Sequence, residues 1–140
     1  MTKVKLTASL EDYLETLYLH LQENQSVKAI DISKTLKVSR ASVTEALKKL
    51  EKEKLIHYGK YDSIVITELG IKKAKEVIQK HNVLYKFFAE ILNLPEEESK
   101  ENACKIEHVI SKIAFEKISK FVELASEDKN FLEKIKQNLE

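Results

Sequence analysis

The chain is short of the residues that break helices and of those that staple small folds. It has one proline, two glycines, one cysteine and no tryptophan in 140 residues. Two glycines and one proline leave few punctuation points, which predicts a helix-rich chain with few turns. One cysteine cannot form an internal disulfide, so the fold must stand on its core, as suits a reducing cytoplasm. No apolar run approaches the roughly 18 residues of a membrane span. The opening "MTKVKLTASLEDYLE" has no apolar stretch of the kind a secretory signal needs. These absences point to a cytoplasmic protein with no membrane partner.

Hydrophobic residues make up 43% and charged residues 34%, an ordinary globular balance and too apolar for disorder. The length suits one compact domain or two small ones. Net charge is +1, so the bulk charge excludes little, but its distribution is uneven. Residues 26–62 hold nine Lys or Arg against five acids, a local balance of +4. Residues 95–140 hold eight Lys against eleven acids, a balance of −3. A basic half and an acidic half imply different partners.

Apolar spacing organises the chain. "SLEDYLETLYLHLQE" (9–23) places Leu10, Tyr13, Leu14, Leu17, Tyr18 and Leu21 on one helical face, with Ser9 as a cap. "KAIDISKTLKV" predicts a shorter helix with Ile30, Ile32 and Leu36 for burial. "SRASVTEALKKLEKEKL" follows, capped by Ser39, with Val43, Ala46, Leu47 and Leu50 as its apolar stripe. Two short helices joined by a tight turn read as a helix-turn-helix. "LIHY" and "SIVIT" flank "GKYD" and predict a β-hairpin. A helix-turn-helix followed at once by a hairpin is the layout of a winged helix. Thr67 then caps a long helix running to about Leu92. Pro95 opens the next at a first-turn position with Glu96, Glu97 and Glu98 at the positive end of its dipole. Two more helices follow, from Lys112 to Ala125 and from Asp128 to the end. The expected fold is mainly α. It divides into a winged-helix DNA-binding domain (1–66), with a short β-hairpin wing, and an all-helical domain (67–140).

In "CKIEH", Cys104, Glu107 and His108 fall within about a 100° arc of one helix face at 100° per residue. In the first helix Asp12 and Glu15 are three apart and share a face. His81 falls in the apolar stripe of the long helix, where a bare imidazole needs a partner. Carboxylate, imidazole and thiolate together suit a first-row divalent metal. Carboxylates favour Mn2+ or Fe2+, and the thiol pulls toward Fe2+, Co2+, Ni2+ or Zn2+. Spacing alone leaves a plainer alternative open. Cys104 would then be a small buried hydrophobe, Glu107 and His108 solvent-facing, and His81 a hydrogen-bonded core residue. A cysteine-nucleophile hydrolase lacks support, because no Gly-rich loop, oxyanion device or well-placed third partner accompanies Cys104.

These motifs carry a resemblance that extends over nearly the whole chain. "LEDYLETLYLH", "VSRASVTEALKKLEKEKLI", "VIQKHNVLYKFF" and "ACKIEHVIS" are similar, in order and spacing, to the diphtheria-toxin-repressor and manganese-transport-regulator family of metal-dependent transcriptional repressors. The resemblance implies metal ligands at Asp12, Glu15, His81, Cys104, Glu107 and His108. It implies Mn2+ or Fe2+ as the physiological metal, with Co2+, Ni2+, Zn2+ or Cd2+ as surrogates. The set is a hybrid. Asp12 is typical of the manganese regulators and Cys104 of the iron regulators. Tyr85 and Lys100 stand where the iron branch has the Glu and His of an ancillary site, so that site is expected to be absent, as is an SH3-like third domain. The remaining expectations are a homodimer held through the helical half, palindromic double-stranded DNA as partner, and no enzymatic activity. Ser39, Arg40, Ser42, Thr44, Lys48 and Lys49 would face DNA from the recognition helix, and Lys60 and Tyr61 from the wing. The alternative is a winged-helix regulator answering an organic or redox signal without metal.

Overall fold

The computed structural model describes residues 6–59, 61 and 63–140. Seven α-helices and one hairpin are described: α1 (Ala8–Glu23), α2 (Ala29–Leu36), α3 (Arg40–Lys52), β1 (Ile56–Tyr58), β2 (Ile64–Ile66), α4 (Glu68–Lys86), α5 (Glu96–Glu107), α6 (Lys112–Ser126) and α7 (Lys129–Leu139). A π-helical turn, Phe87–Ile91, follows α4. The chain forms two compact units, 1–76 and 77–140, and the division falls within α4. The wing and helices are those expected of a mainly α winged helix followed by helices.

The N-terminal unit is built on the stripe read from the sequence. Val43, Leu47 and Leu50 of α3 are fully buried against Leu14, Leu17, Ile32, Leu55 and Ile56. Each such side chain contributes about 1.5–3 kcal/mol of burial. That outweighs the modest helix propensity of so short an element as α2. Two exceptions are instructive. Ile30 is 40% exposed while Ile32 is buried. Two residues apart on a helix lie about 200° apart, so only one can face the core. Ser9 is not the cap of α1. Thr7 is, in extended geometry, with its hydroxyl accepting from the Leu10 N–H at 3.2 Å.

Ser39 does cap α3, accepting from the Ser42 N–H at 3.1 Å. Ser39→Ala is expected to lower stability by about 1 kcal/mol, read as a shift in the urea midpoint at unchanged slope. An unchanged midpoint would mean solvent satisfies that N–H equally well.

The hairpin pairs Ile56 with Ile66, His57 with Val65 and Tyr58 with Ile64. Three pairs are marginal alone. The inward residues Ile56 and Ile64 pack on the helices, and the outward His57 and Val65 are exposed. Thr67 fastens the strand to the next helix. Its hydroxyl donates to the carbonyls of Lys54 and Leu55 and accepts from the Gly70 N–H at 3.1 Å. Lys37, Lys54, Tyr61 and Asn93 hold positive φ, near +60°. Each L-residue there gives up about 1–2 kcal/mol of backbone energy that glycine would not.

The C-terminal unit has a smaller core, with Ile91, Val122 and Ala125 buried and Val83, Phe87, Ile118, Leu132 and Ile135 packed on it. Phe87 meets Phe88 and Phe121 edge-on, and Phe121 meets Phe131 likewise, with ring centroids 5.3, 6.3 and 6.1 Å apart. Pro95 is the residue before α5 rather than in its first turn, and Glu96–Glu98 occupy that turn as read. Helix α5 ends at Glu107. His108 is its capping residue, still in right-handed helical geometry, so the angular argument for its direction survives the helix end.

Candidate metal centre and nucleic-acid interface

Within the C-terminal unit, α4 and α5 bring three unlike donors together. His81 Nδ1 lies 3.5 Å from Glu107 Oε2 and 3.7 Å from Cys104 Sγ. The donor atoms of His81, Cys104 and Glu107 all lie within 4.8 Å of one another. On the other side of the carboxylate, His108 Nε2 stands 3.5 Å from Glu107 Oε1. The plainer placement of these residues does not hold: Cys104 is exposed, Glu107 is 3% exposed and His108 half-buried. Tyr85, one turn beyond His81, stacks near its imidazole with centroids 6.5 Å apart.

Glu107 sets the electrostatics. Its Oε2 is buried and, among the described residues, accepts no hydrogen bond. A buried ionised carboxylate is costly unless a cation or donors compensate it. The 3.5 Å approach of the imidazoles is too long for a good hydrogen bond, so it compensates only weakly. The spacings do suit a shared cation. Bonds of about 2.0–2.3 Å to N, O and S in tetrahedral array put donor atoms about 3.3–3.8 Å apart. The residues therefore fit a divalent metal in charge, donor type and spacing. Lys100, at one of the positions where the iron branch carries its ancillary site, is held by Glu96 at 3.2 Å. Hydrogen bonding to that carboxylate raises the Lys100 pKa above its ordinary value.

Asp12 and Glu15 lie on α1 in the N-terminal unit, Asp12 exposed and Glu15 half-buried. Their neighbour Glu11 went unnoticed in the sequence. It is 7% exposed, and Lys73 Nζ of α4 lies 3.9 Å from its carboxylate. The available signal was its place within the apolar stripe, one residue after Leu10 and three before Leu14.

The basic face is built by α3. Burial of Val43, Ala46, Leu47 and Leu50 turns the opposite side outward. Ser39, Arg40, Ser42, Lys48 and Lys49 are exposed, whereas Thr44 is half-buried. Lys49 pairs with Glu45 at 3.3 Å, an i,i+4 contact that leaves both side chains in solvent. On the wing, Tyr61 is 95% exposed. Lys60 lies outside the described residues. Among the described residues no helix is long and apolar enough to cross a membrane.

Comparisons with known proteins cover both halves of the chain. The family model of the iron dependent repressor N-terminal DNA binding domain matches residues 5–64. That of the iron dependent repressor metal binding and dimerisation domain matches residues 67–135. An uncharacterized HTH-type transcriptional regulator of Methanocaldococcus jannaschii is 37% identical over 119 residues, covering 84% of this chain and 95% of its own. The HTH-type transcriptional regulator MntR of Bacillus subtilis is 33% identical over 122 residues, covering 87% and 85%. Among solved structures, the manganese regulator SloR superposes with a TM-score of 0.72 at 29% identity, over 88% of this chain and 55% of that one. ScaR with bound Cd2+ gives 0.71 at 31% identity, over 81% and 53%. The chain thus spans about half the length of these solved relatives and most of the length of the curated ones. A winged helix joined to a helical unit carrying a His–Cys–Glu cluster, matched in both halves by these comparisons, belongs to the iron-dependent repressor family, the family of the diphtheria toxin repressor and the manganese transport regulators.

Proposed function

We propose that this chain is a divalent-metal-dependent transcriptional repressor controlling metal-ion homeostasis, with Mn2+ or Fe2+ as its metal. The observation that carries the reading is Glu107, a buried carboxylate with an oxygen that accepts no hydrogen bond among the described residues, beside the imidazole of His81 and the thiol of Cys104. The ligand set is His81, Cys104, Glu107 and His108, completed by Asp12 and Glu15. The metal supplies positive charge and fixed coordination directions. The protein's residues supply the anionic and neutral donors.

Ligands drawn from the winged-helix domain (1–66) and the helical domain (67–140) make metal binding favour one arrangement of the two. Only a metal that binds that arrangement more tightly can shift the population toward it. Two copies held as a homodimer by the helical domain present two recognition helices, which calls for a palindromic operator. Ser39, Arg40, Ser42 and Thr44 lie at the end of α3 that enters the groove. Arg40 reads a guanine edge. Lys48 and Lys49 contact phosphates, with Lys60 and Tyr61 reaching the duplex from the wing. The protein works in the cytoplasm, is not an enzyme and has no membrane partner.

Calorimetric titration of anaerobic, metal-free protein with Mn2+, Fe2+, Co2+ and Zn2+ tests the reading, in wild type and in Cys104→Glu. Tighter binding of Fe2+ or Co2+ than Mn2+, narrowed in the variant by at least tenfold, is the expected result for a thiol ligand. Equal Mn2+ binding in both proteins would make Cys104 a bystander. No heat from any of the four would remove the metal reading.

A further inference from the structure

The turn ahead of α3 carries an unexplained feature. Lys37 closes α2 in left-handed geometry, with φ 56° and ψ 46°. That closing position is where helices usually place glycine, because glycine adopts it without a steric cost. The position is tightly defined. The N–H groups of Lys37 and Val38 both donate to the Ser33 carbonyl, and the Ser33 hydroxyl donates back to the Val38 carbonyl at 2.6 Å. The side chain is exposed, two residues ahead of the Ser39 cap and three ahead of Arg40. Among the described residues it has no ion-pair partner. The left-handed backbone therefore holds the stem of a long, exposed cation close ahead of the first turn of α3.

We propose that Lys37 is a DNA-backbone contact: its ammonium takes a phosphate at the edge of the major groove and fixes the register in which α3 enters. The inference rests on the DNA-binding reading above. Phosphate contacts position a protein on the duplex without reading sequence, and lysine serves them as a point charge on a flexible stem. The structure provides an internal comparison. Lys54 is also left-handed, with φ 63°, but at the opposite end of α3. Its carbonyl is taken by the Thr67 hydroxyl at 2.8 Å, so it shares the backbone geometry and the charge of Lys37 but stands a helix length from the Ser39 cap. A cation at the C-terminal end of α2 also favours the helix dipole. That purely structural role predicts a change in stability and none in DNA affinity.

The test compares Lys37→Gly, Lys37→Arg and Lys54→Gly with the wild type, all loaded with Mn2+. The probe is a mixed-sequence duplex of about 30 base pairs, long enough for two major-groove faces, which makes the assay independent of the operator. Anisotropy is followed from about 50 to 200 mM salt. Both glycine variants should melt at or above the wild-type temperature. Lys37→Gly should bind about tenfold more weakly at 100 mM salt, with the slope of log K against log salt reduced by about 0.9 per bound protomer. Lys37→Arg should restore both, and Lys54→Gly should change neither. If Lys37→Gly binds the duplex as Lys54→Gly does, this inference is wrong and the DNA-binding reading stands. If the wild type itself shows no salt-dependent binding, both are overturned.

Discussion

Glu107→Gln should give a metal-free protein at least as heat-stable as the wild type, and one whose stability no longer responds to Mn2+. The variant keeps the shape of the side chain and removes its charge. In the wild type one carboxylate oxygen is buried with no hydrogen bond among the described residues; leaving any buried polar atom so costs about 1–3 kcal/mol, and a charged one more. A neutral amide in the same place keeps a cost of that size but avoids the larger one of burying a charge. The other half of the expectation comes from linkage. A ligand that binds only the folded chain adds about 2.7 kcal/mol at a hundredfold excess over its Kd, or roughly 5–10 °C for a chain of this size. Removing the anionic donor at the centre of the cluster should abolish that gain. Differential scanning calorimetry with and without Mn2+ reads both halves in one experiment. A variant that still gains several degrees from Mn2+ would show that the carboxylate is not a ligand.

Gly70→Ala should be among the most damaging single-methyl additions in the molecule, costing about 3 kcal/mol or preventing the N-terminal unit from folding. Gly70 sits in the first turn of α4. A Cβ there would lie 2.1 Å from the Leu55 carbonyl oxygen and 2.7 Å from Ile66 Cγ2. The obstacle is backbone, which cannot swing aside as a side chain does. That same carbonyl accepts from the Thr67 N–H at 3.0 Å and the Thr67 hydroxyl, so relieving the clash breaks the link between hairpin and helix. Gly59 is the control. Among the described residues a Cβ there meets the Ser63 hydroxyl oxygen at 3.1 Å, a longer approach and to a side-chain atom rather than to backbone. Urea unfolding of both alanine variants should separate them by at least about 2 kcal/mol. Equal midpoints would mean that α4 shifts at little cost.

Much of this was legible in the sequence, and the exceptions have physical reasons. The α3 stripe could be read because Val43, Ala46, Leu47 and Leu50 are buried for the same reason that they recur, a shared helix face. The hairpin could be read because β-branched residues flank a turn in an otherwise helical chain. The α1 cap could not, since Thr7 and Ser9 are both competent and only backbone geometry separates them. Ile30 misled because composition gives hydrophobicity while only phase gives direction. Spacing placed Cys104, Glu107 and His108 on one arc, but an angle on a helix says nothing about depth. That Glu107 is buried while Cys104, one turn away, is exposed depends on what packs over α5. The family resemblance implied a ligand set that spacing could not reach, because it carries spatial information that spacing lacks. The positive φ of Lys37 had no signal at all in a chain with so few glycines.

The π-helical turn at Phe87–Ile91 was equally silent, because α and π turns draw on the same residues. Its Leu92 N–H reaches back five residues to Phe87, where an α-helix would reach back four. Such a turn holds one residue more than the helix around it. In evolutionary terms it is a seam at which the chain can lengthen or shorten by one without unwinding α4. Each single-residue change there would rotate the next segment of chain by about 100°, turning a different edge of the downstream helices toward the aromatic cluster. Alignments of this chain with longer or shorter relatives should therefore place their gap in "FFAEI" rather than in the helices on either side.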